Sequence, residues 1–222
     1  MVMLLRGRRV DPSVWDGLEA PWRACFNLAW GAYRAGTIPV GAVVTDGEGQ
    51  IVGRGRSRVH DREAPPGRLC NSPLAHAEID ALLVLSPEVR YEGHTLWTTV
   101  EPCLLCMGAA MTACVGSVRW ASSDPYAGAA AAVCDNPHTA RLPLRGGGTL
   151  PGPMGLVGAV LHLEPFLRNN PAGAVVAAHR TGAPRVLAAG EALVAAQTLQ
   201  RAAGTDAVFA DVIEDILRAL PE

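Results

Sequence analysis

Two short stretches of the chain carry side chains that could bind a metal ion and transfer protons. His76 and Glu78 lie two residues apart, and Cys103 and Cys106 lie three residues apart, directly after a proline. Cysteines at positions i and i+3 of a helix can point their sulfurs to the same side, and a helix N-terminus favours the thiolate. Thiolate and imidazole are common zinc ligands. The spacing therefore predicts a Zn²⁺ site with His76, Cys103 and Cys106 as its ligands.

The carboxylate of Glu78 indicates which kind of zinc site this is. A structural site is closed by four protein ligands, whereas a catalytic site keeps one position open for water. Glu78 is too close to His76 to be an independent ligand from the same helical face, and it is well placed to accept a proton from an activated water. We therefore predict that Glu78 is catalytic. In the alternative, Cys70 closes a purely structural site and Glu78 has no role.

The composition is that of an ordinary globular protein and excludes some kinds of chemistry. The chain has 222 residues, of which 18% are charged, and its net charge is −2. The sequence contains no lysine, so a Schiff-base lysine is excluded. The slightly negative charge offers no strong field to attract a phosphate backbone.

The N-terminus and the cysteines bear on where the protein is found. A five-residue apolar start precedes a cluster of arginines, which is the wrong order for a signal peptide, and no apolar run reaches the 18 residues of a membrane span. Six cysteines without a secretory signal favour free thiols and metal ligands over disulfides. We expect a cytoplasmic protein that does not contact a membrane.

Hydrophobic periodicity predicts strands that alternate with helices, which is typical of an α/β sheet with at least one parallel pair. An aromatic stripe at three- and four-residue steps predicts a buried helix face between Trp15 and Tyr33. The other predicted helices of this half are 75–85 and 104–113. The predicted strands are 38–45 and 50–56, which form a hairpin, and then 95–100 and 117–121.

The remaining segments are less regular. The stretch 57–73 predicts a long loop, whose arginines could be functional or simply solvated. The glycine- and proline-rich stretch 145–153 predicts a connector without a phosphate-binding pattern. Residues 157–163 are compatible with a strand or a short helix, and 188–203 and 207–220 predict helices. We expect a catalytic domain over 11–165 and a helical extension over 166–222 that packs on it or on a partner subunit.

The two motifs also resemble those of a known superfamily. The H-x-E pattern followed by P-C-x-x-C is a zinc deaminase signature. With the matching stretches 39–42, 75–78, 100–107 and 124–128, the chain resembles the cytidine deaminase-like superfamily over residues 15–135. It is most similar to the bacterial branch that contains tRNA adenosine deaminases and guanine deaminases.

The resemblance implies a fold, a reaction and an assembly. The fold is a three-layer α/β/α sandwich with a mixed, roughly five-stranded sheet and a C-terminal helical extension. The reaction is hydrolytic deamination, in which water activated by zinc attacks the amidine carbon of a base and Glu78 protonates first the ring nitrogen and then the departing ammonia. Members of the superfamily tend to form homodimers with the active site close to the partner subunit.

The resemblance also implies substrate-binding residues. The backbone N–H of Ala77 is expected to hold the base. Ser57 stands at the position of an asparagine that binds the base in the family, and Asn71 is a second candidate for that role. Asp124 matches an aspartate that lines the pocket, although an Asp-Pro pair also commonly begins a turn. The other five histidines are interpreted as surface or core residues: His60, His94, His138, His162 and His179.

Three functions are compatible with these residues. The first is a deaminase of a free nucleobase, a nucleoside or a related small heterocycle. The second is a tRNA adenosine-to-inosine deaminase, which we disfavour because RNA binding requires cationic contacts and the segment 211–222 is acidic. The third is a non-catalytic zinc-binding module of the same fold, which would leave Glu78 unexplained.

Overall fold

A single five-stranded sheet forms the centre of the molecule. The computed structural model describes residues 13–137, 139 and 144–221. The strands are β1 (Gly41–Thr45), β2 (Ile51–Arg56), β3 (Thr95–Val100), β4 (Ser117–Ser122) and β5 (Arg145–Thr149). Their order in the sheet is β2-β1-β3-β4-β5. The sheet is mixed, because β1 is antiparallel to β2 and β3, whereas β3, β4 and β5 are parallel.

This topology brings several chain segments to one edge of the sheet. The carboxyl ends of β2, β3 and β4 lie at the same edge as the beginning of β1, since β1 runs against both of its neighbours. Ser57 directly follows β2, Cys103 follows β3, and Asp124 follows β4. Open α/β sheets bind ligands at the carboxyl ends of their parallel strands. The candidate residues therefore share the edge where a site is expected.

Ten helices are formed by the described residues. They are α1 (Ser13–Asp16), α2 (Ala20–Arg34), α3 (Ala77–Leu82), α4 (Leu104–Thr112), α5 (Ala130–Cys134), α6 (Pro153–Asn169), α7 (Ala174–Gly182), α8 (Pro184–Ala196), α9 (Thr198–Ala203) and α10 (Phe209–Ala219).

The helices cover both faces of the sheet. Side chains of α2 and of the C-terminal helices pack with Val43 and Trp97 on one face. Side chains of α3, α4 and α5 pack with Ala42 and Val44 on the other face. Successive residues of β1 thus point to opposite cores, as the pleat of a strand requires. The predicted three-layer α/β/α sandwich with a mixed five-stranded sheet is confirmed.

Most predicted elements of the first half are confirmed within a few residues. The hairpin is β1 and β2, the strand 95–100 is β3, and the helix 104–113 is α4. The stretch 57–73 contains neither helix nor strand. The aromatic stripe is core, because Trp22, Phe26 and Tyr33 are all buried. The predicted helix 75–85 is shorter, since α3 ends at Leu82.

The prediction for 145–153 was wrong, because its first half is the edge strand β5. Glycines depress strand propensity, so the composition indicated a connector. The structure uses one of them for close pairing: a Cβ at Gly147 would lie 2.6 Å from Cγ of Arg119 and 3.0 Å from the carbonyl oxygen of Val118. Backbone pairing with β4 therefore outweighs the unfavourable composition.

The C-terminal half differs from the prediction in three places. Residues 157–163 belong to the long helix α6, and α7 was not predicted. The segment 188–203 is two helices, α8 and α9, separated by Gln197 in the left-handed conformation. The C-terminal helices pack on the same chain, because Val212 and Ile216 share a core with Trp22. The predicted division between 165 and 166 falls inside α6.

Two parts of the sequence predictions lie outside the described residues. They are residues 11 and 12 of the predicted catalytic domain, and His138. Within the described part of the chain, no helix is both long and apolar enough to cross a membrane.

Gly55 permits α3 to pack directly against β2. A Cβ at this position would lie 2.3 Å from the carbonyl oxygen of Ala77 and 2.3 Å from the amide nitrogen of Ala81. Real Cβ atoms do not approach backbone atoms so closely, so a larger residue must push α3 off the sheet. This contact fixes the helix that follows His76.

We expect Gly55→Ala to lower the free energy of unfolding by about 1–3 kcal/mol, because overpacking at this contact forces the backbone to shift. Chemical denaturation followed by circular dichroism measures the change. Gly93→Ala is the matched control, since nothing lies within 4 Å of a Cβ at Gly93. Equal stability of the two variants would contradict the role assigned to Gly55.

Candidate zinc-dependent active site

Two of the predicted metal ligands are the residues at which helices begin. His76 is the N-cap of α3, and its carbonyl oxygen accepts the N–H of Asp80. Cys103 is the N-cap of α4, and Cys106 lies in the first turn of the same helix. The turn after β3 delivers Cys103 to the sheet edge, and the packing of α3 on β2 delivers His76 to the same place. Both helix N-termini thus contribute to one cluster.

The structure brings the three predicted ligands together. The Nδ1 atom of His76 lies 3.7 Å from Sγ of Cys103 and 3.4 Å from Sγ of Cys106, and the two sulfurs are 3.7 Å apart. Among the described residues, these three form the group whose ligand atoms all lie within 4.8 Å of one another, and Cys70 is not part of it. Two thiols and one imidazole fit zinc, and three ligands leave its fourth position open.

The two sulfurs and the imidazole hold protons unequally without a metal. A hydrogen bond from Cys106 is the main cause that lowers the pKa of Cys103 to about 4. The same hydrogen bond and burial raise the pKa of Cys106. A hydrogen bond with Cys103 raises the pKa of His76. A thiolate is therefore already favoured at one sulfur, and metal binding would displace the remaining protons.

Glu78 lies beside the cluster with its carboxyl group buried. Its Oε1 accepts a hydrogen bond of 2.9 Å from Oγ1 of Thr98, and its Oε2 lies 3.3 Å from Sγ of Cys106. Burial is the main cause that raises the pKa of Glu78. A raised pKa makes this carboxylate a stronger proton acceptor than an ordinary glutamate, which suits a general base.

Thr98 was not singled out by the sequence. It is a fully buried residue of β3, and its hydroxyl fixes one oxygen of Glu78. Nothing in its local sequence marks this role, because the contact joins a strand to a helix that is distant along the chain.

A cavity of about 250 Å³ opens beside the cluster. Among the described residues, its wall contains the ligands His76 and Cys103, the carboxylate of Glu78, and apolar side chains. Three of the four predicted substrate-binding residues also line it: Ser57, Ala77 and Asp124. No arginine of the described part of the chain lines it.

Ser57 has a buried hydroxyl that the protein itself does not satisfy. Its side chain is 2% exposed, and its Oγ has no hydrogen-bond partner. Buried polar groups are almost always paired, so an unpaired one on a cavity wall points to a bound group or water. Asn71 does not line the cavity: it is exposed, and its backbone N–H donates to Arg58. The expectation that Asn71 contacts the substrate therefore lacks support in the geometry.

Asp124 combines both roles that the sequence left open. Its Oδ1 accepts the N–H of Tyr126 at 2.8 Å, which is the turn expected of an Asp-Pro pair. Glu101 shapes this turn as well, because its carboxylate accepts the N–H groups of Asp124 and Ala130. The carboxylate of Asp124 nevertheless lines the cavity.

One wall of the cavity comes from the C-terminal helices and was missed. His162 and Phe166 of α6 and Val175 of α7 line it. The interpretation of His162 as a simple core or surface residue was thus incomplete. Its only sequence signal would have been the four-residue step to Phe166, which puts both on one helix face.

Three of the five arginines between positions 54 and 68 are paired with aspartates of the protein. Asp61 binds Arg56 at 2.6 Å and Arg58 at 3.1 Å, and Asp80 binds Arg58 at 3.4 Å and Arg68 at 2.9 Å. These three arginine side chains are 16–19% exposed. They connect the loop to α3, and their charges are neutralised by the two aspartates.

Comparison with known proteins agrees with this geometry. Residues 18–122 match the family model described as the cytidine and deoxycytidylate deaminase zinc-binding region. This segment is similar to that zinc-binding region, which agrees with the resemblance seen in the motifs.

Curated relatives and a solved structure extend the comparison. A tRNA(Ile)-lysidine synthase of Deinococcus deserti is 33% identical over 63% of this chain and 28% of its own length. The tRNA-specific adenosine deaminase of Haemophilus influenzae is 33% identical over 50% of this chain and 61% of its own length. The chain therefore spans less than two thirds of either relative. A structure from studies of A-to-I editing by tRNA:A34 deaminases has a TM-score of 0.48 and 24% identity, covering 57% of this chain and 96% of that one.

We expect the purified protein to bind one equivalent of zinc through the three clustered side chains. Cys103→Ser should lose most of the metal, because the oxygen of serine is a poor replacement for a thiolate. Elemental analysis after dialysis measures the zinc content. Cys70→Ser is the control and should keep the metal. Loss of zinc from the Cys70 variant, or its retention by the Cys103 variant, would contradict this ligand set.

Proposed function

We propose that the protein is a zinc-dependent hydrolytic deaminase of a free nucleobase, a nucleoside or a related small heterocycle. The main support is the cavity of about 250 Å³, which joins the metal cluster, Glu78 and the unpaired hydroxyl of Ser57. Pockets for drug-sized ligands measure about 300–1,000 Å³, so this one suits a single heterocycle. The reaction would replace an exocyclic amino group by a carbonyl and release ammonia.

The metal and Glu78 would divide the chemistry between them. When bound, zinc would lower the pKa of a water molecule and so supply the nucleophile. Glu78 would accept one proton of that water and pass it to a ring nitrogen of the substrate. It would then pass the second proton, from the hydroxyl added to the carbon, to the amino group, so that a carbonyl forms and ammonia leaves. Thr98 would keep the carboxylate in position through its hydrogen bond to Oε1.

The other cavity residues would hold the heterocycle. The Oγ of Ser57 would gain the partner that it lacks in the protein. Ala77 is the first residue of α3, where a backbone N–H has no intrahelical partner and can donate to the base. Asp124 would accept a hydrogen bond from an N–H group of the base.

The pairing of the arginines favours a small substrate over RNA. A protein that grips an RNA stem-loop needs several cations to contact phosphates. Three of the five arginines between 54 and 68 are held by Asp61 and Asp80 instead. The cavity lining adds no cation. These three cations are therefore neutralised within the protein, which leaves Arg54 and Arg62 as the exposed arginines of this region.

A tRNA adenosine-to-inosine deaminase is the second candidate. It is supported by the names of the two curated relatives reported above, both of which refer to tRNA. A non-catalytic zinc-binding module is the third, and the buried carboxyl of Glu78 beside an open metal position argues against it.

The assembly and the location of the protein remain predictions. We expect a homodimer, because Leu74, Leu104 and Leu105 are 39–67% exposed beside the metal ligands, and exposed apolar side chains that lie together mark contact surfaces. We expect it in the cytoplasm, where its six cysteines would stay reduced.

We expect Glu78→Gln to lower the deamination rate by on the order of 10²–10⁴-fold, because the amide cannot carry the proton. Zinc content should be unchanged, since Glu78 is not a ligand. Ammonia release and elemental analysis measure the two quantities. Glu88→Gln, at an exposed carboxylate, is the control and should keep full activity. Full activity of the Glu78 variant would contradict the catalytic role proposed for Glu78.

An ammonia-release screen would decide between the substrates. The zinc-loaded protein would be tested against free bases, nucleosides and an RNA anticodon stem-loop. We expect release from at least one base or nucleoside, with little dependence on salt. Release from the RNA alone, falling steeply as salt rises, would favour the tRNA candidate. Release from none of them would favour the non-catalytic module.

A further inference from the structure

His162 lies on the cavity wall although it belongs to neither chemical motif. It is part of α6, outside the segment 18–122 that matches the deaminase family. Phe166, one turn further along α6, lines the cavity too, and the two rings meet edge to face at 5.3 Å. One face of α6 is therefore part of the binding site.

The imidazole of His162 lacks a partner within the described part of the chain. The side chain is buried, yet no hydrogen bond joins either of its ring nitrogens to another described residue. His179, the neighbouring buried histidine, is satisfied differently, because its Nδ1 donates to the carbonyl oxygen of Val175 at 2.9 Å. His162 is 8% exposed and lines the cavity, so a ligand or a water in the cavity can supply the missing partner.

The environment of His162 determines what kind of ligand group it can bind. Burial lowers its pKa to about 4, and the facing charged or titratable groups are Asp124, which opposes this shift, and His179, which adds to it. The imidazole is therefore neutral near pH 7 and offers one N–H donor and one nitrogen acceptor. The edges of nucleobases present the complementary donors and acceptors. A phosphate, by contrast, would require a cation that the cavity wall lacks.

We propose that His162 is a specificity-determining residue that hydrogen-bonds a ring nitrogen or an exocyclic oxygen of the bound heterocycle. The proposal rests on the proposed function and adds the residue that selects the substrate. The metal cluster and Glu78 act on the amino group that is lost. His162 reads a different atom of the same ring and so decides which heterocycles are held in position.

Equilibrium binding separates this role from catalysis. Zinc-loaded Glu78→Gln protein, which does not turn over, would be titrated by calorimetry with a panel of bases and nucleosides. The same titrations on the double variant with His162→Leu should show about tenfold weaker binding of the best ligand, the effect of one lost hydrogen bond to a buried group. His162→Gln, which restores a donor and an acceptor, should recover most of it. His179→Leu, which alters a buried histidine that does not line the cavity, should bind as tightly as the parent.

Ligand analogues distinguish recognition from packing. Analogues in which one ring nitrogen is replaced by C–H should bind more weakly than the parent compound. If His162 contacts the replaced nitrogen, the loss of affinity should disappear in the His162→Leu protein, because the contact is already absent there. A double-mutant cycle detects two interacting groups in this way. If His162 contacts an exocyclic oxygen instead, the analogue that lacks this oxygen is used in the same double-mutant cycle. A merely structural role would weaken all ligands equally.

The outcomes separate failure of this inference from failure of the proposed function. Equal affinity of the His162→Leu and parent proteins, or a penalty that persists for every analogue, would overturn the role of His162. Binding of bases that wild-type protein never deaminates would overturn the proposed reaction alone. Absence of binding by every base and nucleoside would overturn both.

Discussion

The active site depends on two helices that begin at the same edge of the sheet. His76 and Cys103 are N-cap residues with extended backbones, at φ −74° and ψ 155° and at φ −73° and ψ 174°. The free N–H groups and the positive end of a helix stabilise a thiolate at such a position. α3 reaches this edge only because Gly55 lets its backbone touch β2. Backbone packing at a glycine therefore determines whether the imidazole meets the two sulfurs.

Two aspartates hold the substrate side of the cavity in place. Asp80 lies on α3, two residues after Glu78, and its carboxylate accepts the N–H of Arg56 at 3.1 Å. Arg56 and Arg58 flank Ser57, and Asp61 binds both of them. A buried charge is costly unless it is paired, so these contacts resist rearrangement. The ion pairs of Arg56 and Arg58 therefore hold Ser57, which lies between them, at the cavity wall. This explains how the loop 57–73, which has no helix or strand, can position a side chain for ligand binding.

The metal ligands and Glu78 were easier to predict from the sequence than the residues that line the cavity. The metal ligands and Glu78 belong to short motifs at the beginnings of helices, and the spacing within each motif is visible in a few neighbouring residues. α6 could not be recognised by periodicity, because its residues from Val157 to Leu163 are buried on every side. The glycines of β5 made it look like a connector. Asn71, the second candidate for binding the base, is exposed and does not line the cavity among the described residues. His162 has no motif partner, so only the folded chain could connect it with Asp124.

If both proposals hold, chemistry and selectivity come from different parts of this chain. The ligands and Glu78 lie within 18–122, whereas His162, Phe166 and Val175 come from the helices that follow. Of the loop 57–73, only Ser57 and Val59 reach the cavity among the described residues, so most of that loop serves to anchor the site. A protein that shares the matched segment can therefore share the reaction without sharing the substrate. The helices after β5, and not the deaminase motifs, are the place where relatives with different substrates should differ.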